Sequence, residues 1–181
     1  VQTCALPICQ LTDIAIDGDT VYTIDNQRTL RAVSVGGGSM VARGGLGLAA
    51  GGGKLFVGGG VAYVGRDDGF SGGFSTVDVR DVANLVLLSG VDAVNLGGRA
   101  IAANGSGLAV SVGNPGGVFG TFVLDVVNVS DPTDTGRFVT RVTLPQAPRD
   151  LVLANGLAFV ADGSGGLQIV NYLAADNKGV P

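Results

Sequence analysis

A glycine-punctuated pattern of short alternating strands recurs along this chain and constrains its fold more than any other feature. The plainest copy runs Asp150-Leu-Val-Leu-Ala-Asn-Gly156, Leu157-Ala-Phe-Val-Ala161, Asp162-Gly-Ser-Gly-Gly166 and Leu167-Gln-Ile-Val-Asn171. Related copies open near Asp13, Leu46 and Arg99. With Tyr22, Tyr63, Val110 and Phe159 taken as equivalent, the copies are spaced by 41, 47 and 49 residues. A period of roughly 40 to 50 residues with several strands per copy is the signature of a β-propeller blade. The expectation is therefore an all-β chain, a β-propeller with about four blades present as an arc of a larger propeller.

Composition supports this reading. Gly is 32 of 181 residues, Pro only 6, and apolar residues make up 46%. The glycines fall between apolar runs, as turn-dense β structure requires. No window of a dozen residues carries a 3.6-residue apolar stripe. The net charge is −4 and the only lysines are Lys54 and Lys178. A chain so short of basic residues lacks the footprint that nucleic acid or an anionic membrane surface demands. No apolar stretch approaches the roughly 20 residues that a spanning helix needs.

Residues 1 to 10 read as a non-native or disordered leader, because Val1-Gln-Thr-Cys-Ala-Leu-Pro-Ile-Cys9 has no alternation and no likeness to the repeats. Both cysteines, Cys4 and Cys9, lie there, and with no histidine anywhere they imply neither a zinc site nor a disulfide. Blades are expected over about 11–40, 41–94, 95–146 and 147–175, with 176–181 starting a linker. In blade one, Asp13–Ile16, the Asp17-Gly18-Asp19 turn and Thr20–Ile24 make a hairpin, followed by Thr29–Val35. Gly36 to Gly45 reads as a connection and Leu46–Ala50 as the first run of blade two. Lys54–Val57, Val61–Val64 and Phe74–Val79 follow. Ala100–Ala103, Leu108–Val112, Thr121–Val129 and Arg137–Leu144 make blade three. Small residues (Ala15, Gly47, Ala49, Ala102) suit crowded inner strands, and Tyr22, Tyr63, Phe159, Ile169 and Val170 suit the layers between blades.

Leu167-Gln-Ile-Val-Asn171, preceded by Ala158-Phe-Val-Ala-Asp162-Gly-Ser-Gly-Gly166, resembles the LVIVD repeat of bacterial and archaeal surface-associated β-propellers. Asn128-Val-Ser-Asp-Pro132 and Pro148-Arg-Asp-Leu-Val-Leu153 fit the same pattern. The resemblance covers residues 95 to 175 well and 11 to 94 less well. Asn128 and Asn171 stand where the family's motif holds Asp, and only Asp78 keeps the carboxylate. What the resemblance implies is a non-catalytic scaffold, part of a larger exported or cell-surface protein, with no catalytic residues to carry over.

Short motifs that suggest chemistry fail on context. Gly45-Leu-Gly-Leu-Ala-Ala50 fits the loose dinucleotide fingerprint, but Gly51-Gly-Gly53 and a strand follow it where a helix is required. Gly53-Lys54-Leu55 lacks the Ser or Thr of a phosphate loop, so Lys54 reads as a solvated turn residue. The paired aspartates 17/19, 67/68 and 131/134 fall in turns, where Asp bonds nearby backbone N–H groups, and none spells a calcium loop. The absence of histidine argues against serine–histidine and cysteine–histidine designs.

The function expected is thus an interaction or spacing scaffold with no catalytic, metal or cofactor residues, and an unspecified protein or glycan partner. The alternative is a fragment of a propeller lyase or hydrolase whose site lies in other blades. Binding is expected at two long loops on one face, at Arg66, Asp67, Asp68 and Phe70 and at Asn114 and Phe119, because loops on rigid scaffolds concentrate recognition residues.

Overall fold

The computed structural model describes residues 10–69, 71–116 and 120–173. Four antiparallel sheets follow one another along the chain. Blade one holds β1 (Leu11–Asp17), β2 (Thr20–Asp25), β3 (Thr29–Ser34) and β4 (Val41–Gly47). Blade two holds β5 (Gly52–Gly58), β6 (Val61–Arg66), β7 (Phe74–Asp78) and β8 (Val86–Ser89). Blade three holds β9 (Ala100–Ala103), β10 (Leu108–Gly113), β11 (Val123–Asn128) and β12 (Phe138–Thr143). Blade four holds β13 (Asp150–Ala154), β14 (Leu157–Ala161) and β15 (Leu167–Asn171). Each blade is a meander whose first strand lies innermost: β1 packs beside β5, β5 beside β9 and β9 beside β13. This is a four-bladed β-propeller arrangement.

The four runs matched by the repeat are β2, β6, β10 and β14, the second strand of every blade. The Asn155-Gly156 turn shows how local sequence sets register. Both residues have positive φ (50° and 77°), and Ala154 then faces Leu157 across a two-residue hairpin.

Two expectations are corrected. Val41–Gly47 pairs with β3, with Leu30 opposite Leu46, so blade one ends after Gly47 and not after residue 40. Leu46–Ala50 is therefore no inner strand, and Gly47 and Ala49 do not line the centre. The run Val41-Ala-Arg-Gly-Gly-Leu-Gly47 pairs through its backbone, which glycine supplies as well as any residue, and so reads in sequence as a linker. Lys54, expected in a solvated turn, lies within β5.

Blade faces carry the core. Tyr22, Ile24, Leu30 and Ala32 of blade one meet Leu55, Val57, Ala62, Val64 and Val77 of blade two. The opposite face of blade two, with Tyr63 and Phe74, meets Ile101, Ala109 and Val127. The far face of blade three, with Ala102, Val110 and Leu124, meets Leu151, Ala158 and Val160. Near the mouth, blades two and three approach backbone to backbone. A methyl on Gly98 would strike the Arg66 carbonyl oxygen, and one on Gly53 or Gly65 would strike that of Gly98.

Gly98→Ala is accordingly expected to destabilise by about 3 kcal/mol, since two rigid backbones must separate. In a domain of this size that lowers Tm by roughly 6–12 °C. Gly59→Ala tests the opposite case, because its φ is +62° and nothing lies within 4 Å of the added carbon. It should cost only about 1 kcal/mol of conformational strain. Equal losses in calorimetry would show that the close approach is not limiting.

Candidate functional site

The propeller has two unlike ends. The β1–β2, β5–β6, β9–β10 and β13–β14 turns crowd one end. The other, the loop face, carries the connections from second to third strands and the links between blades.

On the loop face, Asp67 follows β6 and Asn114 follows β10 at matching positions. Asp67 accepts a hydrogen bond from Arg99 Nη1 at 2.6 Å, an ion pair from the loop of blade two to the entrance of blade three. Arg149 precedes β13 just as Arg99 precedes β9. The residue that blade three offers it is Asn114, a neutral amide whose Oδ1 accepts the Gly116 N–H at 3.2 Å. The repeat thus supplies two arginines and one carboxylate. Arg149 is exposed and has no ion-pair partner among the described residues. Asp67, Arg99, Asn114 and Arg149 line one cleft of about 190 Å³, with Phe122 and Pro148 as apolar walls.

Of the residues expected from sequence, Asp67 and Asn114 meet in this cleft. Arg66 and Asp68 do not join them. They pair with each other, Arg66 Nη2 lying 2.7 Å from Asp68 Oδ2, and face a separate recess beside Arg28 and Ala49. Asp68 also accepts the Ser71 N–H at 2.9 Å. Phe70 and Phe119, like Cys4 and Cys9, lie outside the described residues.

Sequence reasoning missed the axial charges. The Lys54 ammonium sits 3.4 Å from Asp13 of blade one and 3.6 Å from Asp150 of blade four. Asp13 also accepts the Leu55 N–H at 2.8 Å. A lone lysine inside a strand, in a chain with two lysines, was the available signal. At the opposite end, a cavity of about 600 Å³ separates blades two and three. Phe56 and Tyr63 line it, their ring centroids 6.0 Å apart, and Asn104 and Ser106 stand at its rim. Burial pushes the Tyr63 hydroxyl above its ordinary range.

The third-strand ends explain why Asp and Asn interchange in the repeat. Asp78 Oδ1 accepts the Arg80 N–H at 3.0 Å, and Asn128 Oδ1 accepts the Ser130 N–H at 3.0 Å and its hydroxyl at 2.6 Å. The position needs an acceptor for a tight turn, which either residue provides.

Among the described residues no group of three or more His, Cys, Asp or Glu could hold a metal ion, and no helix is long and apolar enough to cross a membrane.

No protein-family description and no curated protein matches the chain. Solved structures do. The computationally designed Ika4 protein is 13% identical with a TM-score of 0.60, over 90% of this chain and 91% of that one. The computationally designed Ika8 protein is 14% identical with a TM-score of 0.55, over 89% of this chain and 45% of its own. BamB from Moraxella catarrhalis is 15% identical with a TM-score of 0.57, over 91% of this chain and 47% of its own. At these identities the likeness is one of fold, and the chain spans about half the length of the latter two.

Asp78 gives a measurable electrostatic check. Hydrogen bonds from the Arg80 side chain and backbone hold its carboxyl down at about 2. A depressed carboxyl adds its stabilisation above the unfolded-state value and loses it as the pH falls through the folded one. Carboxyl NMR should show Asp78 still ionised at pH 3, and Arg80→Ala should move its midpoint up toward the ordinary aspartate range. An unchanged midpoint in the variant would mean the pair does not form.

Proposed function

We propose that this chain is a non-catalytic propeller module, of the LVIVD type that its repeats resemble, serving as an interaction and spacing scaffold in an exported or cell-surface protein. The observation that carries the reading is the unbalanced arginine pair of the loop face. Arg99 is neutralised by Asp67, whereas Arg149 lines the same cleft with no ion-pair partner among the described residues. A guanidinium presents a planar fork suited to a carboxylate. The cleft therefore fits a carboxylate carried by a partner, either an acidic side chain of a protein segment or the uronate of a glycan. The apolar surface of Phe122 and Pro148 supplies orientation. The Asp67 and Asp68 carboxylates are engaged by arginines, an arrangement that suits a binding surface better than a general acid or base.

Arrays of acidic peptides and of uronate-bearing oligosaccharides distinguish the two carriers. Retention of either class is expected, with the bound molecules recovered chemically unchanged. Arg149→Glu should abolish retention, and Arg80→Glu at the other end should leave it intact. Cleavage of a retained ligand, or retention indifferent to Arg149, would overturn the reading.

A further inference from the structure

We infer that the chain associates head to tail with a second copy of itself, the outer face of blade four on one copy packing against the outer face of blade one on the other. Two such junctions close a ring of eight blades, twice the four of one chain.

The repeat is its own control. Tyr22, Tyr63 and Val110 occupy one second-strand position on the face each blade turns toward the next, and they are 3%, 6% and 0% exposed. Phe159 holds that position in blade four and is only partly covered. Val152 and Ile169 flank it in register across the sheet and are 64% and 55% exposed. The reverse face tells the same story. Leu55 and Val57 of blade two, and Leu151 of blade four, are buried against the preceding blade. Their counterparts in blade one, Ile14 and Ile16, are 57% and 67% exposed. Among the described residues the core clusters lie at the junctions one–two, two–three and three–four.

A polar detail marks the occupant as blade one itself. Asp13 spans its junction by accepting the N–H of Leu55 on the next inner strand. Asp150 is the same residue at the same place in blade four, with its side chain 55% exposed against 17% for Asp13. The counterpart of Leu55 on the missing side is Ile14. Asp150 Oδ1 accepts the adjacent Leu151 N–H at 2.9 Å. A copy of blade one offers the carboxylate a cross-blade N–H like the one Asp13 receives, beside the apolar surface that Val152 and Ile169 need.

Ring size also fits. Propellers run from about four to eight blades, so two copies reach the upper end of the range and three would pass it. The same arc matches about half of each of two longer chains. Because the contact is heterologous, it closes only if the rotation between copies completes the ring.

Sedimentation of the full chain over a wide concentration range tests this. The expected mass is twice 18.0 kDa. Ile16→Glu and Ile169→Glu, at opposite ends, should each weaken association roughly 100-fold by placing an unpaired carboxylate in the junction. Val86→Glu on outer strand β8 should not. Cooperative thermal unfolding of each variant verifies that it folds. Mixing the two end variants is the decisive arm, since one intact junction reappears between a sound blade four and a sound blade one. The mixture should associate more tightly than either variant alone. A single-chain mass at every concentration, no recovery on mixing, or open-ended polymers in place of a two-chain particle would each overturn the inference.

Discussion

A four-stranded sheet presents two faces to its surroundings and can bury neither alone, so each blade here exists by leaning on the next. That dependence orders the rest of the molecule. Each face toward a neighbour is apolar at every second residue, from Tyr22 and Ile24 against Val64 and Val77 to Val110 and Leu124 against Ala158 and Val160. Tyr22 adds a hydrogen bond from its hydroxyl to the Val79 carbonyl at 3.4 Å, across the first junction. The glycines make this stacking possible in a second way. Gly53, Gly65 and Gly98 let two backbones meet where side chains would hold blades two and three apart.

Two buried carboxylates within these layers, Asp125 and Asp25, are tied by arginines, as burial requires. Asp125 is fully buried in β11 and receives the Gly97 N–H at 2.8 Å and Arg141 Nε at 2.6 Å. Removing one partner of such a pair strands the other in a medium of low dielectric. Asp25 follows the same rule in blade one. Burial pushes its carboxyl up, but the Arg31 guanidinium and the Thr29 and Gln27 N–H groups outweigh burial and hold it below the usual range. These pairs fix how strands enter and leave a blade. The Lys54 ammonium does so for the whole arc, because it reaches the first and last inner strands from the second.

The fold was legible because its period is written in side chains that alternate. Tyr22, Tyr63, Val110 and Phe159 lie at one position of four sheets, as their spacing required. Where pairing rests on backbone alone the sequence is silent, which is why β4 reads as a linker, whereas β8 goes unmarked because Val86-Leu-Leu-Ser89 is short and shows no alternation. The loop-face cleft was half legible. Asp67 and Asn114 are in loops long enough to notice, whereas Arg99 and Arg149 gain meaning only from their equivalence at blade entrances. That equivalence is a relation between residues fifty apart, and strand register has to be known before it can be seen. Asp125 was masked by the apolar run around it, though a carboxylate inside Val123-Leu-Asp-Val-Val127 is itself a sign of a partner reaching in.

The two unbalanced features of the molecule are of different kinds and act at right angles. The outer faces of blades one and four are broad, apolar and copied from faces buried elsewhere in the chain, so what they lack is another blade. The cleft is small and polar, and lacks a single negative charge at one arginine. It lies on the loop face near the axis, and the outer faces lie radially around it. Closing the arc would leave the cleft open to solvent and bring a second, symmetry-related cleft to the same end of the ring. A partner carrying two carboxylates at matching spacing would then gain from effective concentration as well as from contact. The proposed scaffold role and the proposed self-association are thus compatible, and each depends on separate residues and can fail without the other.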